Sequence, residues 1–71
     1  MEVKIGVLHA PREIVVEVQH THEEIESKLA EALDGGTLAL TDPKGRRVLV
    51  PGDRIAYVEL GSQQVGTVGF R

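Results

Sequence analysis

Val3, Ile5 and Val7 alternate with Glu2, Lys4 and Gly6, the period of two that marks a half-buried strand. His9-Ala10-Pro11-Arg12 interrupts the pattern; Pro11 donates no ladder hydrogen bond and suits a turn. Alternation resumes in Ile14, Val16 and Val18, with Glu13 and Glu17 on the other face beside Val15, so the two runs are expected to pair as a hairpin. The period then lengthens. Thr21 followed three residues later by Glu24 reads as a capping box, and Glu23, Glu24 and Glu26 favour the positive end of a helix dipole. Ile25, Leu29, Ala32 and Leu33 recur at helical spacing as one apolar stripe, and Gly35-Gly36 supplies a left-handed stop. The spacing predicts a helix over about residues 22–34.

Everything beyond the helix reads as β. Leu38 and Leu40 share one side of a strand over 37–41, Asp42-Pro43-Lys44-Gly45 has the residues of a type I turn, and 46–50 forms the return strand. Pro51-Gly52-Asp53 breaks that strand before a further one over 54–60. A weaker terminal strand is expected over 65–70, where Gly66 and Gly69 count against regular pairing. The order β-β-α-β-β-β defines an α+β class: a single domain over residues 1–71, one helix packed on a curved, mainly antiparallel sheet. One helix cannot cover both faces of a five- or six-stranded sheet. The second face carries Val15, Ala39 and one alternating set from Val48-Leu49-Val50 and from 55–60, and Tyr57, in the middle of an apolar strand, falls in the core or at an interface. Either the sheet curls into a partial barrel or a partner covers it, and a homodimer is the favoured expectation.

With one Tyr and one Phe in 71 residues, the core has to be built from Val, Ile, Leu and Ala. The absence of cysteine excludes disulfide staples and thiolate chemistry. Small secreted domains commonly depend on disulfides, and the N-terminus has neither the basic segment nor the apolar run of a signal peptide. No apolar stretch is long enough for a bilayer. A cytoplasmic location is the expectation, with no membrane partner. The net charge of −3 argues against a dedicated nucleic-acid binder, yet it is unevenly spread: residues 1–36 carry eight acids and three bases, residues 37–71 three acids and five bases.

Lys44, Arg46, Arg47 and Arg54 form the strongest candidate ligand surface, because a guanidinium fork contacts phosphate or carboxylate at two points. Strand alternation places Arg46 and Arg47 on opposite faces unless a bulge at Gly45 intervenes. The more ordinary reading of the same charges is a solvated edge that discourages aggregation, or salt bridges to the acidic helix. His9, His20 and His22 fall short of the three or four convergent ligands of a stable metal site, so no metal is expected. Ser27 and Ser62 have no base in the pattern, the glutamates of the helix start spread around its surface, and no glycine-rich phosphate loop opens a helix. Neither catalysis nor a cofactor is expected.

Glu2-Val3-Lys4-Ile5-Gly6-Val7, Ala10-Pro11-Arg12-Glu13, and above all Gly45-Arg46-Arg47-Val48-Leu49-Val50-Pro51 with Arg54-Ile55-Ala56-Tyr57-Val58-Glu59 resemble a short actinobacterial family of unknown function, some members of which are named as ATP-binding proteins. The resemblance spans nearly the whole chain. It implies a stand-alone cytosolic protein of an actinobacterium and carries over no catalytic residue. Two functions follow as expectations: a non-enzymatic interaction or regulatory protein acting by binding another macromolecule, with Val15, Ala39 and Tyr57 at its interface; or a module binding nucleotide or nucleic-acid phosphates through the basic 44–54 region.

Overall fold

The computed structural model describes residues 1–62. Its elements run β1 (Glu2–Val7), β2 (Glu13–Glu17), α1 (His22–Leu33), β3 (Thr37–Thr41), β4 (Arg47–Pro51), a 3-10 turn (Gly52–Arg54) and β5 (Ile55–Leu60). The α+β class and the order of elements agree with the sequence reading. The strand expected over 65–70 lies outside the described residues. The strands divide into two antiparallel sheets instead of joining one curved sheet: a three-stranded sheet in the order β2-β1-β5, and a two-stranded sheet of β3 and β4.

The division follows from the 3-10 turn. Pro51 ends β4, and the turn over Gly52–Arg54 carries the chain away, so that β5 pairs with β1 (Val3 opposite Leu60, Ile5 opposite Val58) and not with β4. Register then decides every face. In the larger sheet, Val3, Ile5, Val16, Val58 and Leu60 point inward, while Glu2, Lys4, Gly6, Glu13, Val15, Glu17, Tyr57 and Glu59 point outward. In the smaller sheet, Leu38, Leu40, Val48 and Val50 face in; Thr37, Ala39, Thr41, Arg47, Leu49 and Pro51 face out.

Inward residues of both sheets meet the helix in one aliphatic core: Val3, Ile5, Val16, Val18, Ile25, Ala32, Leu38, Leu40 and Val50 are all buried, with Ile14, Val48, Val58 and Leu60 partly buried against it. Helix α1 begins at the expected capping box. Thr21 Oγ1 accepts from the Glu24 amide at 3.1 Å, and Glu24 Oε1 accepts from the Thr21 amide at 2.8 Å. That amide, with His20 second, holds the Glu24 carboxyl below its ordinary value. The helix ends at Asp34 and Gly35, the latter at φ +91°, a conformation glycine adopts without steric cost. Leu33 does not complete the apolar stripe. It lies in the last turn, 59% exposed, while Ala32 beside it is the residue of that turn that enters the core.

Gly52 fastens the helix end to the sheets. Its amide donates to the Gly36 carbonyl at 2.9 Å, and a Cβ at this position would lie 2.5 Å from the Ala32 carbonyl carbon and nearer still to its oxygen. The close approach of backbone to backbone there excludes any side chain.

Candidate functional site

The turn from β3 to β4 is organised by Asp42. Its Oδ1 accepts from the amides of Lys44 at 3.0 Å and Arg46 at 2.8 Å, while Oδ2 accepts from Arg46 Nε at 2.8 Å. The Gly45 amide returns to the Asp42 carbonyl at 3.0 Å, with Gly45 at φ +88°. These contacts, the Arg46 guanidinium first, hold the Asp42 carboxyl below its ordinary value. The side chain of Asp42 is nearly buried while that of Arg46 is largely exposed. Arg46 therefore braces the turn with its Nε and keeps only the outer part of its fork for anything else.

Lys44, Arg46, Asp42 and Pro43 form one wall of a cleft of about 600 Å³; Glu2, Val15 and Glu17 form the other. Glu17 is itself bonded to the Met1 ammonium at 2.7 Å. The four basic residues singled out from the sequence do not converge. Lys44 and Arg46 line this cleft near the start of β1, whereas the Arg54 carbonyl bonds the Leu8 amide beyond its far end, a strand length of about 16 Å away. Arg47 opens β4 on the outer face of the small sheet. Arg54 contributes Nε at 4.0 Å from Asp53 Oδ1, the outer limit of an ion pair.

The three expected interface residues also separate. Val15 is half-exposed on the outer face of the larger sheet, opposite Lys4 and against the carboxylate wall. Tyr57 is on that same outer face, not in the core. Its ring lies over its register partner Gly6, where a Cβ would come within 2.6 Å of Cδ2. Its hydroxyl donates to Glu13 Oε2, and that bond raises the Tyr57 phenol above its ordinary value. Four carboxylates (Glu2, Glu13, Glu17, Glu59) and Lys4 share the face. This face is thus charged where an apolar one was expected.

Ala39 belongs to the other sheet, whose outer face is separate from the one that carries Val15 and Tyr57. On the outer side of β3 and β4, Ala39 pairs with Leu49, Thr37 with Pro51, and Thr41 with Arg47. Leu49 is 58% exposed. A shallow hollow lined by Leu33, Gly35, Gly36, Thr37, Pro51 and Asp53 continues the patch past the end of the strands. Arg47 is the one charge on the paired residues, and among the described residues it makes no ion pair. The turn residues Asp42 and Gly45 announce the hairpin in the sequence; the register that puts Leu49 beside Ala39 was the missing step.

The histidines are apart. His9 occupies the turn after β1 at φ +64°, His20 Nδ1 lies 3.3 Å from Glu24, and His22 Nε2 contacts the Gly61 carbonyl at 2.6 Å, tying the helix start to the end of β5. Among the described residues no three ligating side chains gather, and no helix is long and apolar enough to cross a membrane.

Taken together, the molecule is a small α+β domain that presents two outer faces of opposite character, one charged and one neutral, with an open cleft beside the charged one. The chain belongs to the family described as Protein of unknown function (DUF3107), whose model matches residues 1–71. No curated protein matches it.

Proposed function

We propose that this protein is a non-enzymatic interaction module that associates with itself through the neutral outer face of β3 and β4. One observation carries the reading: Leu49, 58% exposed, stands beside Ala39 and Pro51 with no described element over them. Exposed apolar surface of this kind is characteristic of an association site. The contacts of His20 with Glu24 and of His22 with a backbone carbonyl support a structural use of these side chains. The resemblance of the 45–51 and 54–59 blocks supports an actinobacterial cytoplasm as the setting.

Light scattering of the purified protein across about 10 µM to 1 mM tests this, a range suited to weak association. A mass rising from monomer towards dimer supports it; a constant monomer mass at every concentration refutes it.

A nucleotide-phosphate reading, ATP included, is favoured by the presence of both Lys44 and Arg46 on one cleft wall. It takes second place because Glu2 and Glu17 face them across the same cleft and repel a polyphosphate. ATP titrated at low salt decides it. Binding that fades with added salt and with Lys44→Glu would move this reading to first place.

A further inference from the structure

The two outer faces differ in how they would meet a second copy of themselves. Glu2, Glu13, Glu17 and Glu59 stand out from the larger sheet with one lysine among them; two such faces repel each other. The β3–β4 face carries no such penalty. Its centre is Ala39 beside Leu49, and its charges lie at opposite ends: Arg47 at the start of β4, and Asp53 just past Pro51 at the other end, on the rim of the hollow that continues the face. Asp53 is exposed, and its nearest cation, Arg54, is 4.0 Å away.

This arrangement is self-complementary under a two-fold rotation. With the axis in the plane of the interface, across the strands at Leu49, the second β4 runs antiparallel over the first. Leu49 then meets Leu49 of the other copy, and Arg47 comes over the other copy's Pro51 with Asp53 in reach of its long side chain. A two-fold contact makes each such pairing twice. We propose that two copies of this chain pack β3–β4 face against β3–β4 face in this antiparallel orientation, held by Leu49 at the axis and by two reciprocal Arg47–Asp53 pairs at the rim. The proposal rests on the self-association reading and adds its geometry.

Size sets the strength. Two strands of five residues present a face of about 17 Å by 10 Å, and even with the adjoining hollow this is far below the roughly 800 Å² per partner of a standard stable interface. The dimer is therefore weak and dissolves on dilution.

Sedimentation equilibrium on the full chain, at about 20 µM to 1 mM and low salt, suits a contact with charged rims. Four variants accompany the native protein: Leu49→Arg, Arg47→Asp, Asp53→Arg, and Arg47→Asp with Asp53→Arg. All substitutions are at exposed positions, and circular dichroism melts confirm folding. The native chain is expected to show a monomer–dimer equilibrium, which Leu49→Arg abolishes. Each single charge reversal weakens dimerisation about tenfold, and the double reversal restores most of the loss, as coupled charges should. A native chain monomeric at every concentration overturns both this geometry and the self-association reading. A dimer indifferent to Leu49→Arg, or a double variant no tighter than the singles, overturns this geometry alone and leaves association through another face.

Discussion

Replacing Gly52 with alanine tests how the helix end is joined to the sheets. The new methyl would enter the space already held by the Ala32 carbonyl, with its carbon 2.5 Å from the carbonyl carbon and 3.1 Å from the Gly36 oxygen. Ordinary contact between such atoms is near 3.5 Å, so the helix end and the 3-10 turn have to part by an ångström or more. Neither neighbour is a flexible side chain that can swing away. Overpacking of this kind costs about 1–3 kcal/mol. Separation also stretches the Gly52–Gly36 hydrogen bond, now 2.9 Å, whose loss costs about 1 kcal/mol more. A loss of about 3 kcal/mol is large for a chain of 71 residues, whose whole stability is on the order of 4–10 kcal/mol. In a domain of this size it lowers Tm by about 12–24 °C. Thermal melts followed by circular dichroism at 222 nm measure it directly. Gly35→Ala is the internal comparison. Nothing lies within 4 Å of the added carbon there, and the cost is only the positive φ of +91°, about 1 kcal/mol. If Gly52→Ala melted within about 5 °C of the native protein, or above Gly35→Ala, the tight backbone junction described here would be wrong.

Other expectations follow from the same contacts. Thr21→Ala removes the hydroxyl half of the capping box and should cost about 1 kcal/mol, read as a lower urea midpoint with an unchanged slope. Asp42 has its carboxyl held below its ordinary value in the folded state, so its contribution is complete above the unfolded-state pKa and is lost as pH falls through the folded-state one. Asp42→Asn should therefore be less stable than native at pH 7, with the gap closing on acidification below about pH 4; a gap of constant size from pH 7 to pH 2 contradicts the assigned role. Tyr57 runs the other way: its phenol is raised, so the stability it adds is present below pH 10 or so and is lost as pH rises through the folded-state pKa. Spectrophotometric titration at 295 nm should show Tyr57 ionising later in the native protein than in a Glu13→Gln variant.

How much of this was readable from the residues alone depended on whether the signal was local. The capping box at Thr21 and Glu24 was, because both partners lie within one helical turn. So was the β3–β4 hairpin, where Asp42 and Gly45 prescribe the turn, and the aliphatic make-up of the described core, which a chain with one Tyr and one Phe favours. The split into two sheets was not. It depends on β5 crossing to β1, a choice between non-adjacent partners that alternation does not encode. From that one pairing came the misplaced second face: Val15 and Tyr57 went to a charged surface, Ala39 to a neutral one. The basic residues were legible as charges but not as a cluster, since Arg46 is engaged through its Nε by Asp42 and Arg54 stands a strand length from Lys44. Leu33 fits the helical period yet stays exposed, because the last turn meets the core through its neighbour Ala32.

Self-association through β3 and β4 is tested most directly by methyl-resolved NMR of the native chain over a dilution series from about 1 mM to 20 µM, a range that spans a weak dimer. Resonances of Leu49 and Ala39 should move progressively with concentration while Val15, on the charged sheet, stays fixed. Stationary Leu49 and Ala39 methyls across the whole series would contradict the proposed interface.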